Sequence, residues 1–238
     1  MVAFHFEDTD WDAQLESQHP ANDQRAETLG PLGDLRFRQL FTRADWLKLP
    51  PAVRERFGRK VSIGDALIYC GRVEHNRMNR WGRALANTLR LIGAPFPLDT
   101  QNAGAAAVVT VTEAPGGSQI WMRQYARQDQ RAPFPQVIQS AKRFTGPTGI
   151  EEHIGRGIGM SLRAGVEAGE LVFRAEDIFW DIGKLRLKLP RWLGPIDLRA
   201  GHEEQGGGHF VFTLRLRHKW FGAMLDQRVS FVDESRAP

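Results

Sequence analysis

From about residue 105 to residue 233 the apolar side chains recur at every second position, broken roughly every ten residues by polar, glycine-rich turns. No other feature of the chain restricts its fold as much. A period of two is that of a strand with one buried and one wet face, and LysLeuArgLeuLysLeu (184–189) alternates cleanly enough to require such a wet face. Short strands at this spacing pair with their sequence neighbours as an antiparallel meander, closed or strongly curled. The candidate strands are 106–113, 119–127, 135–144, 149–164, 170–180, 184–189, 196–204, 209–218 and 227–233, with ProGlyGly (115–117) and GlyGlyGly (206–208) among the turns.

Upstream the period is helical. Phe37, Leu40, Phe41 and Ala44 share a stripe that LysLeuProPro (48–51) breaks, and Pro51 can open a second helix through Val53 and Phe57 to Gly58. Residues 61–73 read as a β-segment kinked near Gly64. The clearest helix follows: Met78, Trp81, Leu85, Leu89 and Ile92 form one stripe, Arg77, Arg80, Arg83 and Arg90 lie largely elsewhere, and Gly93 ends it. The expected class is α+β, mainly β: two or three N-terminal helices with a curved or closed antiparallel sheet, whether barrel-like, lipocalin-like or helix-on-sheet.

Composition narrows the setting. Residues 1–34 carry eight acidic side chains against Arg25, a net of −7, so a chain of formal charge +4 leaves +11 on the rest. The acidic, apolar-poor lead reads as a mobile tail over 1–33, with one β-rich domain over 34–235. A basic body attracts anionic partners, but no dense Lys/Arg cluster or nucleic-acid motif occurs, so nucleic acid is not expected. The single cysteine, Cys70, the lack of a signal-peptide pattern and the lack of a long apolar run point to the cytoplasm.

Chemistry is sought where polar residues enter apolar registers. In 149–164, read as one strand, Glu152 and Arg156 share the even register of Ile150, Ile154, Ile158, Met160 and Leu162. A buried carboxylate there needs a cationic or hydrogen-bonding partner from another strand. Trp121, Arg123 and Tyr125 share a face on 119–127. Aromatic rings flanking an arginine suit a ligand with an apolar body and an anionic or carbonyl head. Phe210, Phe212, Leu214 and Leu216 define the inward face of 209–218, with His218 following in register. The loop LeuProArgTrpLeuGlyPro (189–195) presents Trp192 as a lid, a contact or a cap. His202, Glu203, Glu204, His209 and His218 match no standard metal spacing, so neither metal nor other cofactor is expected. The Trp81–Leu85–Leu89 stripe suits packing on the sheet better than lying on a membrane, which leaves peripheral membrane contact the weaker alternative.

Taken together, the LeuProPro-x-Val-Arg break (49–54), the Trp-x-Arg-x-Tyr strand (121–125), Glu152 followed by Gly155, the 189–195 loop and the Phe-x-Phe strand running into His218-x-x-x-Gly222 resemble the bacterial family called domain of unknown function 4166. The resemblance runs from about Phe37 to Asp233, and departs in Lys219 and in the lack of a dinucleotide-binding half. It implies a β-rich fold that occurs alone or fused to saccharopine-dehydrogenase-like domains, hence an accessory or ligand-handling role near an oxidoreductase. The leading expectation is a binding module for a small, mostly apolar ligand such as a lipid or isoprenoid-like molecule. Trp121, Tyr125, Phe210 and Phe212 would form its walls, and Arg123, Arg156, Glu152 and His218 would orient the head. Two alternatives are an acid–base isomerase, cyclase or lyase using Glu152 and His218, and an accessory domain docking on a nicotinamide-dependent dehydrogenase.

Overall fold

Three short helices precede the sheet, each started by a local signal. In the computed structural model, which describes residues 33–91, 93, 96–127, 134–190 and 197–233, Asp34 caps helix α1 (Leu35–Arg38) by accepting from the Arg36 N–H. The stripe expected to form one helix up to Lys48 is divided: Thr42 accepts from the Asp45 N–H and starts α2 (Arg43–Lys48), because a threonine cap competes successfully with continuation of so short a helix. Pro51, whose fixed φ suits a first helical position, opens α3 (Pro51–Gly58). The acidic lead up to residue 32 and Trp192 fall outside the described residues.

The strands are β1 (Ala66–Met78), β2 (Ala106–Ala114), β3 (Ser118–Tyr125), β4 (Gln136–Arg143), β5 (Glu151–Gly155), β6 (Ile158–Glu167), β7 (Glu170–Ile182), β8 (Leu185–Lys188), β9 (Asp197–Gly206), β10 (His209–His218) and β11 (Gly222–Val232). Helix α4 (Arg80–Arg90) joins β1 to β2. Successive strands pair antiparallel, β11 returns to β1, and β7 pairs with both β6 and β9, so ten strands close into a barrel from which β8 is left out. Of the architectures left open by the sequence, the closed barrel is the one formed. Closure leaves no unpaired edge in the ring.

One expected strand is two. The 149–164 segment folds back at Gly155, Arg156 and Gly157, with φ of 131°, 47° and 79°. Two glycines make that left-handed corner accessible, and β5 and β6 become hairpin partners. Arg156 is therefore an exposed turn residue and does not share an inward face with Glu152.

The two ends of the barrel are built differently. At the end holding the β2–β3 and β9–β10 turns, Phe37, Phe41, Val53 and Phe57 pack into one cluster with Met160, Leu162, Leu171 and Phe173 of the barrel. Arg56, 5% exposed, fastens this cap: it pairs with Glu204 at 3.1 Å and Asp233 at 3.3 Å and lies 4.0 Å over the Phe210 ring. At the opposite end α4 settles through Gly82 and Ala86, both buried. A Cβ at Gly82 would run into the Met224 carbonyl. Gly82→Leu is accordingly expected to lift α4 and cost about 1–3 kcal/mol, read as a lower midpoint in urea. An unchanged midpoint would show that α4 is not seated by this contact.

Candidate functional site

Within the barrel lies a partly open cavity of about 140 Å³ lined mostly by apolar side chains, among them Phe57, Trp121, Tyr125, Met160, Phe173 and Phe212. Three neighbouring strands interrupt that lining. β3 contributes Arg123, β4 contributes Ser140 and Lys142, and β5 contributes Glu152. Ser140 and Lys142 stand in the buried phase of β4, Arg123 shares the phase of Trp121 and Tyr125, and Glu152 that of Ile154; register brings them together, Lys142 and Glu152 being direct partners across β4–β5. The Lys142 Nζ lies 3.2 Å from Glu152 Oε2, and Arg123 Nη2 lies 3.5 Å from Glu152 Oε1 while donating to Ser140 Oγ at 2.9 Å. The ammonium also lies 5.2 Å from the Trp121 ring centre.

Burial by itself would raise the Glu152 carboxyl pKa, but Lys142 and then Arg123 more than offset it and hold the group at about 2. Burial pushes Lys142 downward, with Glu152 opposing and Arg123 adding to the shift. Glu152 is thus a fixed anion and a poor proton acceptor near neutral pH. The site combines two basic side chains and one carboxylate on the wall of an otherwise apolar chamber. Arg123 Nε is buried with no hydrogen-bond partner among the described residues.

His202 adds a second polar point. It is 1% exposed, and its ring stacks on Phe210 at 4.8 Å and meets Phe57 and Phe212 edge-on. Burial, then the Arg56 guanidinium, holds it well below the usual histidine range. Since Arg56 Nη1 can only donate across the 2.8 Å contact, His202 Nε2 accepts and the proton sits on Nδ1. That Nδ1–H has no partner among the described residues, nor does Gln227 Nε2, and both residues line the same cavity. Imidazole nitrogen NMR at pH 6 should therefore show His202 neutral with Nδ1 protonated; an imidazolium signal would contradict this environment.

The remaining residues singled out from sequence separate. Trp121, Arg123, Tyr125, Glu152 and Phe212 line the cavity. Phe210 is fully buried beside it, against Tyr69 and Phe231. His218 stacks on Phe221 at 4.5 Å at the α4 end and is not in the cavity lining, so Glu152 and His218 are not assembled about one chamber. Arg156 sits on the exposed turn. His202 extends the apolar register of Ile196 and Leu198 in the sequence, whereas Lys142, Ser140 and Gln227 are site residues that polarity in an apolar phase had not identified as ligand groups. The signal for Lys142 was its phase with Ile138 and Ser140.

In a comparison with known families, residues 49–231 match the family described as "Domain of unknown function (DUF4166)". That stretch begins just before α3 and runs to the end of β11, so it includes all three basic and acidic groups of the chamber. No curated protein matches the chain.

Proposed function

The chain belongs to the DUF4166 family, and we propose that its barrel is a binding module for a small amphipathic molecule, an apolar body carrying a carboxylate or comparable oxygen-rich head. The observation that carries this reading is the buried, unpartnered Nε–H of Arg123, a residue lining an apolar chamber where Glu152 already neutralises one of two basic neighbours. An acceptor from a ligand would satisfy that donor; leaving a buried donor unmade costs about 1–3 kcal/mol. His202 Nδ1–H and Gln227 Nε2 offer further donors along the wall, so the chamber is rich in donors. A fatty-acid-like or isoprenoid acid fits this distribution better than a neutral hydrocarbon or a cation.

Native mass spectrometry of the protein from its host, followed by extraction, should release a stoichiometric amphipathic acid. Arg123→Met should weaken binding of that acid by roughly ten- to a hundredfold, the value of a hydrogen bond to a charged group. Retention of the ligand by Arg123→Met at unchanged affinity would remove the reading, as would failure of the protein to take up any amphipathic acid.

A further inference from the structure

The strand directions place α4 and the β3–β4, β5–β6, β7–β8 and β10–β11 connections at the end opposite the helical cap. Three properties coincide there. The first is exposed apolar surface: Phe134 is 81% exposed, Leu91 73% and Trp220 64%. Trp81, also exposed, stacks on Phe221 at 4.4 Å, and Phe221 stacks in turn on His218, so a row of rings borders the end.

The second is a projecting ribbon. β6 begins at Ile158, opposite Trp180, and β9 pairs with β7 only over Leu171–Arg174, so beyond Trp180 β8 is the strand neighbour of β7, with the β5–β6 turn touching it where the Asp181 N–H donates to the Gly157 carbonyl. Trp180 faces Leu187 and Ile182 faces Leu185 across that ribbon. The four share the face that continues the inward register of Ile178, and all four are exposed. Contiguous apolar surface of this kind marks a contact site.

The third is charge. α4 carries Arg80, Arg83 and Arg90 and no acidic residue, the nearby turns add Arg127, Arg156, Lys184 and Lys219, and the end of β10 adds Arg217, all exposed. None of these meets a carboxylate among the described residues. Asp99 is the acidic residue in the described connections of this end, and of the carboxylates at the strand ends here Asp181 is engaged by Arg186, Asp197 by Arg174 and Asp226 by Arg215. The capped end contrasts: Arg36, Arg56 and Arg59 are each held by carboxylates there.

We infer that this end docks on a lipid surface bearing anionic headgroups. Exposed tryptophans and aliphatic residues ringed by unpaired arginines and lysines match the boundary of such a surface, where apolar groups enter and cations meet headgroup charge. The same charge argues against a second copy of this face as occupant, since the two would repel. Leu89, Phe96 and Pro97, which belong to this end, also form part of the cavity wall. The inference rests on the binding-module reading in one respect: the docked end is the one through which an amphipathic ligand exchanges with the bilayer.

The test is co-flotation of the full chain with vesicles of phosphatidylcholine alone and of phosphatidylcholine with phosphatidylserine. Binding is expected on the phosphatidylserine vesicles, far less on the others, and decreasing as salt is raised. Arg80→Glu with Arg83→Glu should weaken it roughly tenfold or more, and Leu185→Asp with Leu187→Asp should abolish retention. All four positions are exposed and absent from the cavity lining, so the unfolding midpoint and ligand uptake of these variants should equal those of the parent. Equal binding to both vesicle types, binding to neither, or preference for nucleic acid or an acidic protein over the vesicles overturns the docking face. A protein that takes up its ligand yet ignores vesicles keeps the cavity and loses this face. One that floats on phosphatidylserine vesicles without taking up any ligand keeps the face and loses the cavity.

Discussion

Glu152→Ala should destabilise the protein by about 3–5 kcal/mol in urea unfolding, the cost of removing one partner from a buried ion pair. The loss comes from what remains. Lys142, 7% exposed, would keep its place against Trp121 and Phe173 with its carboxylate gone and Arg123 still nearby. Adding Lys142→Met to Glu152→Ala removes the stranded ammonium, so the double variant should lose clearly less than the two single losses combined. Simple additivity would mean that the pair is not coupled. The same group sets an acid limit. Its folded pKa of about 2 lies below the ordinary 4.5, so the contribution is complete above about pH 4.5 and disappears as pH falls toward 2. At full strength it is worth about 3 kcal/mol. Glu152→Gln should flatten the stability profile in that window.

Phe57→Ala should cost a similar amount, about 3–5 kcal/mol, and change the binding chamber as well. The ring is 5% exposed, contacts Phe37 and His202 edge-on at 5.0 Å, and stacks loosely on Trp121. It joins the helical cap to the cavity wall. Its removal opens apolar space at the capped end, and such space takes up small apolar molecules. Benzene should therefore raise the unfolding temperature of Phe57→Ala by more than that of the parent. A variant with parental stability, or one indifferent to benzene, would show that the helices do not close the chamber.

How much of this could be read from the chain differs by element. The inward face of β10, Phe210 through Leu216, followed from alternation because adjacent strand residues point to opposite sides whatever the partner. Pro51 and Gly58 bounded α3 because proline and glycine act on their own backbone. The β5–β6 turn was hidden for a related reason. Ile150, Ile154, Ile158 and Met160 keep even parity on both sides of Gly155–Gly157, so the period of two continues unbroken through a reversal of direction.

The sequence by itself determined the strand period, the start of α3 and the presence of a carboxylate in an apolar phase that demanded a cation. Local rules suffice for these, since each depends on residues within a few positions. Which cation answers Glu152 was decided only by the tertiary structure. Phase alone makes Lys142 and Arg123 equal candidates. The stagger of β4 against β5 sets Lys142 opposite Glu152, and the turn at Gly155 takes Arg156 outside. Ring closure likewise brought β9 and its His202 to the chamber wall beside residues of β3. Such stagger depends on every strand pairing around the ring at once, and no local stretch of the chain encodes it.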